Sequence, residues 1–444
     1  MKKNTTLLLF LFLALSGIFS PASAEERSFQ DIKRIAERLI APAAVTRSIA
    51  TGKATPEIKK ITATKAYTVM GYEEGGFAII ANDDANSPVV GYSTDNAFSA
   101  ENPALSWYLS VAEIKLNNHI MSAPRRAGGK NAGVPSDCKK SVPHMVKAKW
   151  DQGKPYNEFC PKAEKGKCVT GCVATAMAQI INYHRYPDKG IGTNYVWYNN
   201  NSQKLTVDYS ATTYDYDNQV VPSYKGAVGI TPEKKRAVAT LMYHCGVAAK
   251  MQYAYDVSGA YLFDAADGLR DNFGYIVKYY GYKDYPTPDN YDDAKWCEVI
   301  YRELSAGNPV MYAGGSNYNG TDSYHCFVLD GYDERGYVGV NWGWSGGGDG
   351  YFSLDIMGCQ IGNWREEFKM GNDMVIMHRP DQGDINYDLY PATGIEDITA
   401  GKANEASPKR IYDAAGRLIG TKAARNHKGL IIERHNGKVR KVVR

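Results

Sequence analysis

Apolar positions along the chain change period several times, and each change marks a different kind of structure. Lys2 and Lys3 precede an apolar run from Leu7 to Phe19, which ends in Ala22-Ser23-Ala24. A helix of that length rises only about 20 Å, too short to span a bilayer, and the small-residue ending is what a signal peptidase reads. Residues 1–24 are therefore expected to be a signal peptide, and the mature protein to be secreted or held at the cell surface. From Ala66 to Tyr92, short β-branched and aromatic runs alternate with Gly, Asn, Asp and Pro, which predicts three strands in a meander. Leu105, Leu109, Ala112, Ile114 and Leu116 then fall at helical spacing within Pro103–Ile120. The next stretch, SAPRRAGGKNAGVPSD, has no period and reads as an exposed linker, with a domain boundary near Arg126. Arg125-Arg126 fits a processing site and a solvated basic linker equally well.

Between residues 140 and 380 one strong helical period stands among strand-like runs. In CVTGCVATAMAQIINYHRYP, residues Val173, Ala176, Met177, Ile180, Ile181 and His184 share one face, predicting a helix that opens at Cys172 and ends before Pro187. Farther along, SYHCFVLDGYDERGYVGVNWGWSGGGDGYFSL puts His325 at the head of an apolar strand. A turn at Asp333–Gly336 and a second strand follow, ending in Asn341-Trp342-Gly343-Trp344. Beyond Asp381 the chain becomes polar; RIYD, GRLIG and KGLIIERHNGKVRKVV, with Asn436-Gly437 as a hairpin turn, predict a small all-β domain of three or four strands.

At 444 residues, with 44% hydrophobic and 23% charged positions, the chain has material for more than one globular domain. That balance argues against a disordered, collagen-like or multi-span membrane protein. The net charge is +4, but residues 401–444 carry twelve Lys/Arg and three Asp/Glu, leaving about −5 for the rest. The basic tail has no groove-reading or aromatic element, so no nucleic-acid partner is expected. Eight cysteines are too few for a disulfide-built scaffold. Cys160 and Cys168 close a short loop and are candidate partners; Cys138, Cys245, Cys297 and Cys359 cannot be assigned from sequence.

Cys172 at a helix start faces unpaired backbone N–H groups and the positive end of the helix dipole, both of which favour the reactive thiolate. Its own N–H is also available to an oxyanion. Taken alone, a buried structural cysteine accounts for this segment as well. His325 lies 153 positions downstream and Asn341 a further 16. An imidazole can take the thiol proton and return it to a leaving amine, with a third group fixing the ring. The order Cys, His, Asn is that of papain-like thiol proteases. Cys160, Cys168, Cys172 and His184 match no common zinc spacing, and Gly346-Gly347-Gly348 lacks the Lys and helix of a phosphate loop, so no metal or cofactor is expected.

The motifs become specific at WDQGKPYN (150–157), TGCVATAMAQIINYHRYP (170–187), DNFGY (271–275), HCFVLDGYD from His325 and VNWGWSGGGDGYFSL from Val340. Through them the chain resembles the streptopain family of bacterial secreted cysteine peptidases, and GFAIIANDDANSPVVGYS resembles that family's pro-domain strands. The resemblance implies a papain-like two-lobed α+β fold made as a zymogen, cutting peptide bonds in protein substrates. It implies Cys172 as nucleophile, His325 as general base and acid, and Gln152 as a side-chain donor to the oxyanion hole. A side-chain amide beside a helix-terminal N–H forms a two-donor hole, and losing one donor costs about 10²- to 10³-fold in rate. Either Asn341 or Trp342 would orient the histidine, with Trp344 in the cleft; Gly259 and Tyr324 would contact substrate. The family carries Gly where this chain has Tyr324 and Ala where it has Cys326, and a bulky Tyr would narrow the cleft. An apolar residue before the one donating the scissile carbonyl is the preference the family suggests.

The expected organisation is leader 1–24, inhibitory pro-domain 25–126, peptidase 127–383, and linker with C-terminal β domain 384–444. TGIEDI, IYDAAGRLIG and KGLIIERHNGKVRKVV resemble the sorting domain read by the type IX secretion machinery, which would make that machinery a partner. Two other functions stay open on the residues: a different Cys/His acyl transferase such as an amidase or transglutaminase, and a binding protein on an inactive protease fold.

Overall fold

The structure, a computed structural model, describes residues 25–54, 56–118, 133–281, 293–318, 321–357, 371–387, 389, 410–413, 418–420, 430–435 and 438–443. The expected leader, Arg125-Arg126, Cys359 and Asn436-Gly437 lie outside these. The chain divides into two units, residues 1–391 and 392–444.

The N-terminal region opens with helix α1 (Phe29–Thr51), followed by strands β1 (Lys59–Ala63), β2 (Tyr67–Gly71), β3 (Phe77–Ala81) and β4 (Val89–Ser93), and helix α2 (Pro103–Asn117). Asn102 caps α2 by accepting from the N–H groups of Ala104 and Leu105, and Pro103 fits its first turn, where no N–H is needed. Two short hairpins, β5 (Lys162–Ala163) with β6 (Gly166–Lys167) and β7 (Thr193–Tyr198) with β8 (Gln203–Asp208), flank helix α3 (Cys172–His184). Helices α4 (Pro232–Ala248), α5 (Leu262–Phe273) and α6 (Asp293–Ala306) alternate with strands β9 (Ile276–Tyr280), β10 (Val310–Tyr318), β11 (Thr321–Tyr332), β12 (Val338–Asn341) and β13 (Gly350–Phe352). The short α7 (Leu354–Met357) and strand β14 (Gly371–His378) complete the unit.

Ten strands form one antiparallel sheet in the order β1-β2-β3-β4-β13-β12-β11-β10-β14-β9. The N-terminal strands therefore extend the sheet of the larger block, joined where Tyr92 pairs with Tyr351 and Gly91 with Phe352. One face of β10, β11 and β14 packs on α3, α4 and α5 through Met311, Ala313, Cys326, Val328 and Val375. The other face shares a core with α2 and α6, where Phe77, Trp107, Phe327, Trp342 and Phe352 meet. Helix α1 covers the outer face of β2–β4 with Ile32, Ala36, Ile40 and Ala44.

The six apolar-face positions predicted for α3 are buried, but so are Ala174, Thr175, Ala178 and Gln179. A helix expected to be amphipathic is enclosed nearly all round, leaving its first residue, Cys172, among the partly exposed ones. The described cysteines are free thiols, so the Cys160–Cys168 bridge offered by their spacing is not formed. Both are buried, and Cys168 Sγ meets the Tyr198 hydroxyl at 3.6 Å. The second unit contains a four-stranded antiparallel sheet, in the order β16 (Leu418–Gly420), β15 (Arg410–Asp413), β17 (Leu430–His435), β18 (Lys438–Val443).

Candidate active site

The start of α3 is fixed by Gly171, whose φ of 87° suits glycine. A Cβ there would stand 2.6 Å from Met251 Sδ and 3.0 Å from the Ser258 carbonyl. The loop from Met251 to Tyr261 is thus pressed against the entry to the helix. It is fastened there by Val169 N–H to the Ala254 carbonyl at 3.1 Å and by Ser258 Oγ to the Val169 carbonyl at 2.7 Å. No side chain caps α3, which leaves its first N–H groups free of that competitor.

Cys172 is half-buried. Burial pushes its thiol pKa up, opposed by N–H groups of Cys326, Val173 and Cys172 itself. Burial prevails, so in this form the sulfur is held as a thiol, contrary to the thiolate expected from the helix start. The reason is non-local: strand β11 comes up to the thiol at the Cys326 N–H, and the 251–261 loop is pressed against the neighbouring Gly171.

Gln152 is brought to the same place. Its carbonyl accepts from Thr170 N–H at 3.0 Å, two residues before the nucleophile candidate. Trp150, fully buried, gives its backbone N–H to Gln179 Oε1 of α3 at 3.0 Å and its indole N–H to the Val221 carbonyl at 3.2 Å. Asp151 accepts from Gln152 N–H at 2.6 Å and from Ser345 Oγ at 2.6 Å. Ser345 N–H returns to the Trp150 carbonyl at 3.1 Å, which fixes Trp344, half-buried, on the Asp151–Gln152 side.

His325 stands on β11 opposite Gly314 of β10, in an unbroken register from Thr321 to Leu329. Strand alternation puts its side chain on the face of Phe327 and Leu329, while Cys326 and Val328 face α3. A Cβ at Gly314 would lie 2.0 Å from the Trp107 ring of α2. The neighbour of His325 in the sheet is thus covered by the N-terminal region, and Trp107 also contacts Phe327 at 5.8 Å between ring centroids. Burial pulls the His325 imidazole down to about 4, so it is neutral over most of the pH range. Among the described residues no hydrogen bond joins it to Cys172.

Asn341 pairs with Val328 across the ladder. Its amide is taken up by the Ala148 carbonyl at 2.6 Å and the Gly343 N–H at 3.1 Å. Trp342 is 2% exposed; its indole N–H goes to the Gly348 carbonyl at 3.0 Å and its ring packs on Phe327 at 4.7 Å. Gly259 pairs with Gln252 through both backbone groups and has open space where a side chain would stand. Tyr324 is partly exposed and donates its hydroxyl to Asp373 Oδ2 at 2.9 Å. Asp373, Gln179, Met251 and Trp107 are site residues that sequence reasoning missed. Helical phase from Cys172 could have found Gln179; the other three reach the site through tertiary packing alone.

The Cys326 N–H meets the Cys172 thiol, the Gln152 backbone is bonded to Thr170 beside it, His325 precedes Cys326 with its side chain on the opposite face of β11, and an N-terminal region packs against that strand. Residues 150–352 match the Peptidase C10 family, and residues 28–113 match the Spi protease inhibitor family. Streptopain of Streptococcus pyogenes is 31% identical over 389 residues, covering 80% of this chain and 93% of its own length. The thiol protease/hemagglutinin PrtT of Porphyromonas gingivalis is 31% identical over 300 residues, covering 64% of this chain and 33% of its own. The solved structure of a fragment of Prevotella intermedia prointerpain A is similar with a TM-score of 0.62 and 36% identity, covering 72% of this chain and 98% of the fragment. With streptopain matched along nearly its whole length, and an inhibitor-like segment built into the same sheet as the peptidase, the chain belongs to the Peptidase C10, or streptopain, family of cysteine peptidases and is made as a zymogen.

Proposed function

We propose that Cys172 is the nucleophile of this peptidase, His325 its general base and acid, and Gln152 together with the Cys172 N–H its oxyanion hole. The observation that carries this reading is the convergence on one sulfur. Cys172 opens α3, Gln152 is hydrogen-bonded to Thr170 beside it, and the residue after His325 turns its N–H toward the thiol.

In the reaction, the imidazole takes the thiol proton as Sγ attacks the scissile carbonyl carbon, and the carbonyl electron pair moves onto oxygen. The Gln152 amide and the Cys172 N–H hold that oxyanion. Its collapse breaks the C–N bond, and the departing amine takes the proton from the imidazolium, leaving a thioester. Water, deprotonated by His325, then attacks the thioester, releasing the new carboxylate and restoring the thiol.

The pro-region, 25–126, keeps the peptidase, 127–383, latent, and Arg125-Arg126 is the processing point. Residues 1–24 direct export, the protein is secreted or surface-held, and the tail from 384 to 444 engages type IX secretion machinery. Asn341 acts by holding the turn that carries Trp344, since both ends of its amide are occupied. Intact mass over time, with wild type beside Cys172→Ala under reducing conditions, tests the core of the reading. Loss of about 100 N-terminal residues, at roughly 110 Da each, is expected only with Cys172 present; processing of both forms in protease-free preparations would overturn it.

A further inference from the structure

The two donors assigned to the oxyanion hole come from different parts of the chain, and no strand or helix joins them. The Cys172 N–H opens α3, while Gln152 lies twenty positions earlier in a stretch, residues 143–161, that is neither helix nor strand. One fastening is the Thr170 N–H bond to the Gln152 carbonyl at 3.0 Å. The other is Gln179, whose Oε1 accepts the Trp150 N–H at 3.0 Å; among the described residues no other hydrogen bond ties residues 150–157 to α3 itself. Gln179 follows Cys172 by about two helical turns, so both project from the same face of α3, about 10 Å apart along its axis. Trp150 is fully buried, stands two residues before Gln152, and is held from the other side by Ser345 N–H on its carbonyl at 3.1 Å. Cys172, Gln179, Trp150, Gln152 and Thr170 therefore form a closed ring of covalent and hydrogen-bonded links, none of them on the head of β11. Gln179 is fully buried, and its Nε2 has no hydrogen-bond partner among the described residues. The Trp150 N–H can only donate, so turning the amide round would not pair that nitrogen there. A buried, half-paired amide is a poor packing residue, and the glutamine is accounted for by the one bond that its oxygen makes.

We propose that Gln179 is a positioning residue for the oxyanion hole: by holding the Trp150 N–H, it fixes how far the Gln152 amide stands from the Cys172 N–H. The inference rests on the assignment of Cys172 as nucleophile and Gln152 as donor. The oxyanion exists only once Sγ has attacked, so a misplaced donor weakens the transition state and leaves substrate binding as it was. Without the Gln179 bond, Gln152 stays attached at Thr170 but swings about that attachment, and its amide no longer meets the oxygen together with the Cys172 N–H. Oxyanion donors act at about 2.7–3.1 Å, so a drift of about 1 Å removes most of the effect of one of them. The loss is bounded by what Gln152 itself supplies, about 10²- to 10³-fold.

The test compares wild type, Gln179→Met, Gln179→Glu, Gln152→Ala and the double variant Gln152→Ala/Gln179→Met, all processed by immobilised wild-type enzyme. Peptide hydrolysis gives kcat and KM, with active sites counted by a thiol-directed epoxide so that folding yield does not enter. Gln179→Met keeps the volume and removes the acceptor; it is expected to lower kcat about tenfold and to leave KM within about twofold. In the Gln152→Ala background the same change is expected to lower kcat by less than about twofold, because the donor it positions is already gone. Gln179→Glu, which is isosteric and still accepts, is expected to keep kcat within about threefold of wild type. If the Met variant does not fold, Gln179→Asn, whose amide is one methylene short of Trp150, replaces it in both backgrounds with the same expected outcomes. An unchanged kcat in Gln179→Met, an equal fall in both backgrounds, or a Glu variant as slow as the Met variant would overturn the proposal. An unchanged kcat in Gln152→Ala would instead overturn the assignment of the donor, so the two failures are separable.

Discussion

Trp107 is the residue through which the pro-region covers the His325 strand, and Trp107→Ala should loosen that cover by a calculable amount. The indole is 2% exposed and stands where a side chain at Gly314 would be. Burying an indole removes about 150–250 Å² from water, worth about 4–6 kcal/mol at about 25 cal/mol/Å². Core Trp→Ala changes cost about 3–5 kcal/mol. Against this, the Trp107 Nε1 is buried without a partner among the described residues, which returns about 1–3 kcal/mol. A net loss of about 3 kcal/mol, at 1.4 kcal/mol per factor of ten, raises the detached population of the pro-region about a hundredfold. Native-state hydrogen exchange of residues 103–117, in a Cys172→Ala background that prevents proteolysis, reads this population directly. Exchange there should speed up about a hundredfold, and with Cys172 intact the lag before self-processing should shorten. Trp107→Phe keeps most of the ring and drops the unpartnered N–H, so its effect should be several-fold smaller. Unchanged exchange and an unchanged lag in Trp107→Ala would refute the idea that this contact holds the zymogen closed.

Burial holds the Cys172 thiol pKa up in the zymogen, so iodoacetamide at pH 7 should alkylate Cys172 at least tenfold more slowly in the zymogen than in the processed enzyme, by peptide mass spectrometry; equal rates would contradict it. Asp349, whose Oδ1 accepts from Trp342 N–H at 2.9 Å, has its carboxyl raised by burial to about 7. A carboxyl raised on folding stabilises the folded state fully below its unfolded pKa near 4, and that contribution is lost as pH rises through 7, at up to about 1.4 kcal/mol per pH unit. Asp349→Asn in the Cys172→Ala zymogen should therefore remove much of the decline in thermal midpoint between pH 4 and 7; parallel wild-type and variant curves would show that Asp349 is not responsible.

The fold class and the α3 helix were legible because their signals are local. The period of Val173 to His184 and the alternation in β11 are set by which residues face the core, and both follow from spacing alone. Helix α1 was not legible for the converse reason. Three of the five residues in its buried stripe, Ile32, Ala36, Ile40, Ala44 and Ser48, are small, and the helix contains Pro42. What holds it is packing on β2–β4, which no window of α1 contains. The thiolate expectation failed in the same way: the helix start argues for the anion, while the strand that meets the buried sulfur and the loop pressed on Gly171 beside it come from about 80 to 155 residues downstream.

His325 and Cys326 are successive residues, so on a regular strand they face opposite sides of the sheet, and the thiol lies on the Cys326 side. For the imidazole to reach Cys172, the head of β11 must depart from that regularity, and room for its departure exists only where nothing else is packed. At present Trp107 fills the space over Gly314, the position paired with His325, and Phe327 is clamped between Trp107 and Trp342. The same contacts stabilise the zymogen, because the pro-region and the peptidase share one apolar core and one sheet joined at Tyr92–Tyr351. Cutting the chain between the two leaves every one of those contacts in place. Release of the pro-region, the unpairing of β4 from β13 and withdrawal of α2, is therefore expected to lag behind the cut, and hydrogen exchange of residues 103–117 that becomes fast at the moment of cleavage would refute this.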